Sequence, residues 1–303
     1  MDVHDISGIE FDPEALKRVR TQFERKVQDG ENFSQTLSEL FADAILQEHQ
    51  LILKDNLVRV VLIWAKKHKI AQFSEFISMM SDEYLTQRRV LPNHVLDKIY
   101  ALETVSAARS FMEEPVIKYI PDAVFQLPNL KTLVMGRGGY EELYNVKLEM
   151  IPPAITEAKN LASLHLQHCG LTELPAYLFT PSLRQLKIGA NDIKIIPDAI
   201  GKAVNLEMLT AWGNDLEYIS SEIGSLKKLK RIDIWGSNRL ILPESIVNLG
   251  DMEYVFIADA KGLTPAQVTW LRKNGMPEEA IFPKLRSYAE QPDNNLSDDD
   301  LPF

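Results

Sequence analysis

A short apolar frame recurs through the middle of the chain, and it constrains the fold more than any other feature. The frame reads L-x-x-L-x-L-x-x-N-x-L, and its successive copies start at Leu161, Leu183, Leu206, Leu229 and Met252, 22 or 23 residues apart. An earlier copy starts at Leu130, and the last copy keeps only its strand. In the fourth copy, one extra residue places Asn238 and Leu240 one position late. One copy cannot bury its apolar face alone, so stacked copies must share a continuous core.

Four of the frames are followed by a second signature, an apolar residue and then a proline, with another apolar residue four positions after the first. The pairs are Leu174-Pro175, Ile196-Pro197, Ile219-Ser220 and Leu242-Pro243. Over roughly residues 117–263 this pattern resembles the leucine-rich repeat family in its 23-residue form. The resemblance implies short parallel strands that line the concave side of a curve, and a function in protein–protein recognition. We therefore expect an α+β solenoid, a curved parallel leucine-rich-repeat sheet with an all-helical N-terminal domain and a short helical C-terminal cap. Ser220, which replaces the proline of one copy, is expected to be neutral.

One column of the frame is polar where the rest is apolar. Asn191 and Asn214 lie where the chain leaves the strand, and an inward asparagine there can pair backbone groups that would otherwise be buried without a partner. Cys169, the only cysteine, occupies the same column and is expected to be a small buried residue, not a nucleophile or a metal ligand. A single cysteine also excludes an intrachain disulfide.

The chain divides into four expected regions. These are a helical N-terminal domain or cap (1–115), the repeats (116–263), a C-terminal helical cap (264–286) and an acidic disordered tail (287–303). Apolar periodicity predicts helices from Pro13 to Gly30, from Ser34 onward, over residues 57–70 and from Pro92 through Val105, with the 57–70 helix buried on nearly all sides. In the cap, Thr264-Pro265 is a helix-start signal and Gly275 a stop signal. The glycine-rich stretch 136–140 predicts a protruding loop.

Composition argues against several classes of function. A net charge of −10 gives no basic footprint for nucleic acid, and the most apolar stretch, residues 57–65, is about half of what a membrane span needs. The start lacks the features of a secretory signal, so a cytoplasmic location is expected. His165 and His168 would point different ways, which argues against a metal site, and nucleotide, hydrolase and metalloprotease motifs are missing. We expect no catalytic residue, no metal, no cofactor and a monomer.

The concave face carries the candidate partner-binding residues. The side chains that point away from the core there include large apolar, aromatic and charged groups, namely Met208, Trp212, Trp235, Tyr254, Phe256, His165, Lys187, Arg231 and Asp233. The repeat framework needs none of them, and their composition matches binding hot spots. Both tryptophans are expected to face solvent, so truncation to alanine should change stability by less than about 0.5 kcal/mol. The alternative is that the C-terminal segment folds back and covers this surface.

Two classes of function remain open. The preferred hypothesis is a non-enzymatic module that binds a protein partner on the concave face. The alternative is a bacterial effector-type protein, in which the helical N-terminal domain carries an unrecognised activity and the repeats select its target. An immunity-type inhibitor and a housekeeping scaffold fit the same sequence, because a fold does not specify a function.

Overall fold

Seven short parallel strands form one sheet that runs the length of the repeats. The computed structural model describes residues 33–86, 91–107, 116–136, 146–258 and 260–281. The sheet contains β1 (Thr104–Ser106), β2 (Thr132–Val134), β3 (Ser163–His165), β4 (Gln185–Lys187), β6 (Met208–Thr210), β8 (Arg231–Ile234) and β9 (Tyr254–Ile257), in that spatial order. The central frame residues Leu133, Leu164, Leu186, Leu209, Ile232 and Val255 are register partners, and all are buried. The predicted fold class is therefore confirmed.

The second half of each repeat turns back along the other side of the core. Two short strands, β5 (Ile195–Ile196) and β7 (Tyr218–Ile219), pair in parallel there. Each is followed by a 3-10 helix, and the five such turns of the repeats span Pro153–Glu157, Ala176–Leu178, Asp198–Lys202, Ser221–Ser225 and Glu244–Leu249. Ser220 does more than replace proline, because its Oγ accepts a hydrogen bond from the Glu222 backbone and donates one to Asp198 at 2.6 Å. It thus caps the turn that follows it.

A ladder of buried amides links the repeats where the chain leaves the strands. The Asn191 side chain accepts hydrogen bonds from the backbone N–H groups of Cys169 and Leu171 and donates to three backbone carbonyls, those of Leu166, Ile188 and Gly189. Asn214 repeats this arrangement one copy later. In the fourth copy the buried Ser237 occupies this position. Its Oγ accepts a hydrogen bond from the Leu216 backbone N–H and donates one to the Asn214 carbonyl. Asn238 is exposed, so the extra residue lies after the ladder position and not before it.

The sheet begins one strand earlier than the repeat pattern indicated. The predicted helix from Pro92 through Val105 is wrong at its C-terminal end, because the helix α4 (Asn93–Tyr100) stops at Tyr100 and β1 follows it. Leu102 and Val105 are three residues apart, which suits a helix face, but together with Ala107 they also fit the L-x-x-L-x-L spacing of the repeat frame. Parallel pairing of β1 with β2 decides in favour of the strand.

The N-terminal helices differ from prediction in number and in burial. A single helix, α1, spans Phe33–Lys67, where two had been expected, and α2 (Ser74–Ser78) and α3 (Asp82–Thr86) follow it. Arg59 donates to Asp55 at 2.6 Å and to the Tyr84 and Leu85 carbonyls, so a polar cluster holds α1 against the α3 region. Val60 and Ile63 are exposed, so the expectation that the helix is buried on nearly all sides is wrong. The expected Pro13–Gly30 helix lies outside the described residues.

The described chain shares one continuous apolar core from the N-terminal helices to the C-terminal end. Trp64 Nε1 donates to the Tyr119 carbonyl at 3.1 Å, which ties α1 to the first turn of the repeats, beside the short helix α5 (Asp122–Phe125). At the other end, Thr264 caps the helix α6 (Pro265–Lys273) and forms a reciprocal capping box with Gln267, as the helix-start signal predicted. The short helix α7 (Glu278–Ile281) completes the described cap.

The glycine-rich stretch is only partly described. Gly136 is buried, and a Cβ placed on it would lie 1.5 Å from the Gln167 carbonyl oxygen. Gly136 therefore belongs to the close packing between neighbouring strands and not to a protruding loop. Residues 137–140 of that predicted loop, and the predicted acidic tail 287–303, lie outside the described residues.

Candidate functional site: the concave face of the sheet

The strand register aligns the predicted surface residues in two columns on the concave face, which we define as the side of the seven-stranded sheet opposite the core. One column runs Thr104, Thr132, Ser163, Gln185, Met208, Arg231, Tyr254, and the other runs Ser106, Val134, His165, Lys187, Thr210, Asp233, Phe256. Parallel pairing spaces neighbours by about 4.8 Å. Seven of the nine candidate residues stand in these columns, and Trp212 and Trp235 directly follow them.

Trp212 is not exposed as expected, because only 7% of its surface is accessible. The reason is Gly189, its counterpart one repeat earlier. A Cβ on Gly189 would lie 2.6–2.8 Å from indole atoms of Trp212, so the missing side chain leaves the space that the ring fills. Met208 is also buried. For these two residues the predicted solvent exposure is wrong.

Three rings pack in a row along the repeats, and the copy that contains Gly189 lies between those of His168 and Trp212. The indoles of Trp212 and Trp235 are stacked, with centroids 5.6 Å apart and planes 12° from parallel. The His168 ring meets Trp212 edge-on at 5.5 Å. His168 has a positive φ of 53°, in the column where Ala190, Gly213 and Gly236 also have positive φ. This local conformation turns the chain after each strand and directs the histidine toward the tryptophan. We call His168, Trp212 and Trp235 the aromatic row.

The accessible part of the face lies beside the aromatic row, on the last two strands. Trp235 and Phe256 are half-buried, and Tyr254 is 37% exposed. The Arg231 Cζ lies 5.5 Å from the Tyr254 ring centroid, a cation–π geometry. Trp235, Arg231, Tyr254 and Phe256 therefore form a contiguous surface, which we call the aromatic–arginine patch.

The N-terminal part of the face is polar. The Ser163 Oγ lies 3.0 Å from His165 Nε2 and 3.3 Å from Gln185 Oε1, which joins two strands by side-chain hydrogen bonds. Closer to the patch, Lys187 on β4 and Asp233 on β8, both half-buried, flank Thr210 in their column. Charges of both signs therefore lie beside the aromatic–arginine patch.

Paired charges line one margin of the sheet. Lys131 contacts Glu103 at 2.6 Å, Lys230 contacts Glu253 at 2.8 Å, and Arg184 contacts Glu207. The hydrogen bond from Lys230 lowers the pKa of Glu253, and Glu253 raises the pKa of Lys230. These pairs are exposed, so they contribute little to stability and mainly fix the charge pattern at the margin.

The described residues contain no group of three or more histidine, cysteine or acidic side chains able to hold a metal ion. Cys169 is fully buried, and burial raises the pKa of its thiol well above the usual value. A thiol in that state is a poor nucleophile at neutral pH. Within the described parts of the chain, no helix combines the length and the apolarity that crossing a bilayer requires.

A known protein family matches part of the repeat region. Residues 159–216 match the family model described as "Leucine rich repeat". These residues are leucine-rich repeats. The predicted resemblance is thus confirmed, and the leucine-rich-repeat fold commonly mediates protein–protein interaction. No curated protein sequence matches the chain.

Solved structures of leucine-rich-repeat proteins are similar to part of the chain. A leucine-rich-repeat protein of Leptospira interrogans is 25% identical over 50% of this chain and 43% of its own, with a TM-score of 0.42. Internalin C2 of Listeria monocytogenes is 17% identical over 68% of this chain and 89% of its own, at 0.45. A plant peptide hormone receptor, solved in complex with RGF2, is 27% identical over 51% of this chain and 25% of its own, with a TM-score of 0.41. The chain thus spans less than half of the length of the Leptospira protein.

Two residues that shape the site were missed by sequence reasoning. Gly189 and Trp212 occupy the same position of the frame in successive copies, and a glycine beside a tryptophan on the next strand signals space for the ring. His168 had been considered only as a metal ligand. Its position one residue before the ladder column, where two later copies carry Gly213 and Gly236, was the available signal for a left-handed backbone and a redirected side chain.

Proposed function

We propose that this protein is a non-enzymatic, monomeric leucine-rich-repeat module that binds a protein partner through the aromatic–arginine patch. The observation that carries the proposal is the packing of this patch on Trp212. Stacking against a buried indole holds Trp235 in one orientation before a partner arrives. Preorganised aromatic side chains lose little conformational entropy on binding, which is why they dominate interface energetics.

Composition and placement of the patch support the same function. Tryptophan, tyrosine and arginine are the residues most enriched in hot spots, and here they lie on adjacent strands within one contiguous surface. The mixed charges of Lys187 and Asp233 and the charged margin surround the patch with polar groups. An apolar centre with a polar rim is the usual anatomy of a specific interface.

The test compares two exposed tyrosines on opposite sides of the same solenoid. Tyr254→Ala removes a ring from the patch, whereas Tyr218→Ala removes a similarly exposed ring from β7, on the other side of the core. Partners captured by the wild-type chain are identified by mass spectrometry, and affinity is then measured for purified pairs. We expect Tyr254→Ala to weaken binding by about 2 kcal/mol, roughly thirtyfold, and Tyr218→Ala to leave it unchanged. Equal losses for both variants, or no loss for Tyr254→Ala, would contradict the proposal.

A further inference from the structure

The two ends of the seven-stranded sheet are closed in different ways. At the C-terminal end, the outer edge of β9 lies against the cap, where the Ile257 N–H donates to the Sδ of the buried Met276 at 3.1 Å. At the N-terminal end, β1 is the last strand of the sheet. Of the residues that the structure describes, only Gln72 forms hydrogen bonds with the outer edge of β1.

The Gln72 carboxamide binds β1 in the way that one residue of a neighbouring strand would. Its Nε2 donates to the Thr104 carbonyl at 2.8 Å, and its Oε1 accepts from the Ser106 N–H at 2.7 Å. In a parallel sheet, one residue of the neighbouring strand makes this same pair of bonds, to a carbonyl and to the N–H two residues later. A single side chain therefore takes the place of a further strand.

The alternation along β1 determines which backbone groups its outer edge presents. The Glu103 carbonyl and the Ala107 N–H form hydrogen bonds with residues on or beside β2. The backbone groups of Thr104 and Ser106, at the alternate positions, therefore point away from the sheet. Thr104 is exposed and Ser106 is half-buried, so a second strand could approach this edge.

Gln72 is exposed, but the turn that carries it is anchored in the core. The turn is a 3-10 helix over Ala71–Phe73, and the residues on either side of Gln72 that fix it are Ile70 and Phe73, both buried. This anchoring keeps the backbone of Gln72 beside β1. The carboxamide itself stays in contact with solvent, so removing it leaves the core intact and uncovers the strand edge.

We propose that the outer edge of β1 is a strand-addition site and that Gln72 keeps it closed to a second copy of the chain. An uncovered edge strand is a template for pairing, and two identical edges related by a two-fold axis pair antiparallel. Thr104 of one copy then faces Ser106 of the other, with four backbone hydrogen bonds between the two copies. Gln72 occupies the Thr104 carbonyl and the Ser106 N–H, which are half of the groups that this pairing needs.

Disulfide trapping in the full chain detects this pairing even when it is brief, as expected for a three-residue strand. One preparation carries Thr104→Cys, the other carries Ser106→Cys, and the two are mixed under mild oxidation. Cys169 is fully buried, so the added thiols react alone. The pairing places the two positions opposite each other, about 5.5 Å apart between Cα atoms, which suits a disulfide. We expect the mixed dimer to form at least tenfold faster when both chains also carry Gln72→Ala.

Two further variants separate the strand edge from general loosening. Gln126 is also exposed and donates to the Glu157 carboxylate at 3.0 Å, so Gln126→Ala removes a similar side chain whose partner is not a strand. Gln72→Glu can still accept from the Ser106 N–H but cannot donate to the Thr104 carbonyl, and it places a charge on the edge, which opposes pairing. We expect both variants to trap the mixed dimer within about twofold of the wild-type rate.

Three results would overturn the proposal. Equal rates for Gln72→Ala and wild type would mean that Gln72 does not close the edge. A Gln72→Glu rate as high as that of Gln72→Ala would attribute association to a loosened turn. Dimers of two Thr104→Cys chains that form as fast as the mixed dimer would exclude the antiparallel pairing. Should Gln72→Ala not fold, Gln72→Ser gives the same comparison.

This inference rests on the monomeric state in the proposed function and not on what the concave face binds. Light scattering on the wild-type chain keeps the two apart. A wild-type dimer would contradict the proposed monomer, whereas equal trapping rates in a monomeric chain would contradict only the role of Gln72.

Discussion

Truncation of Trp212 to alanine is the sharpest test of how the concave face is built. A buried tryptophan removes roughly 150–250 Å² from water, which at about 25 cal/mol per Å² corresponds to about 4–6 kcal/mol. That figure is an upper bound, because unfolded chains already bury some apolar surface. Trp235 and His168 can also partly fill the vacated space above Gly189. We therefore expect Trp212→Ala to lower the free energy of unfolding by about 3 kcal/mol.

The stacked partner supplies the control for that estimate. Trp235 is half-buried, so Trp235→Ala should cost only about 1.5 kcal/mol. Because the two indoles are in contact, the double variant should cost about 1 kcal/mol less than the sum of the single variants. Urea denaturation followed by far-ultraviolet circular dichroism measures all three without relying on tryptophan emission. A Trp212→Ala variant within about 0.5 kcal/mol of wild type, or a smaller loss than for Trp235→Ala, would show that the indole is not packed as described.

Four further predictions address the framework and the cap. Asn191→Ala should lower the free energy of unfolding by about 3 kcal/mol or more in urea titrations, because five hydrogen bonds to buried backbone groups disappear. The Cys169 thiol should stay unreactive to Ellman's reagent at pH 8 in the native protein and react stoichiometrically in denaturant, since burial raises its pKa. Gly136→Ala should prevent stable folding, measured by thermal melting. Gly250→Ala has open space but a backbone at φ 74° and ψ −136°, which favours glycine, and should cost about 1–3 kcal/mol. The Arg272 hydrogen bond at 2.5 Å lowers the pKa of Glu278, so this pair stabilises the fold above about pH 4.5 and its contribution disappears as the pH falls further. A Glu278→Gln variant should therefore have a lower melting temperature than wild type at pH 7 and the same melting temperature near pH 3.

The apolar frame alone determined the architecture of the repeats. A register held over successive copies fixes which residues point into the core, and the observed strand pairing follows it residue by residue. The same frame predicted the asparagine ladder and placed Trp212 and Trp235 on neighbouring strands. The helix-start signal at Thr264 was equally local, because a capping box involves only residues three positions apart. These features were predictable since each depends on spacing along the chain.

Other features depended on contacts that no local pattern contains. Leu102 and Val105 fit a helix and a strand equally, and only the neighbouring β2 selected the strand. Ser237 replaced Asn238 in the ladder because hydrogen-bond geometry, and not residue type, decides which side chain reaches the buried carbonyl. The predicted exposure of Trp212 was wrong, because burial depends on the size of the side chain on the adjacent strand. Gly189 has no side chain there, and the large apolar ring of Trp212 fills that space instead of remaining in water.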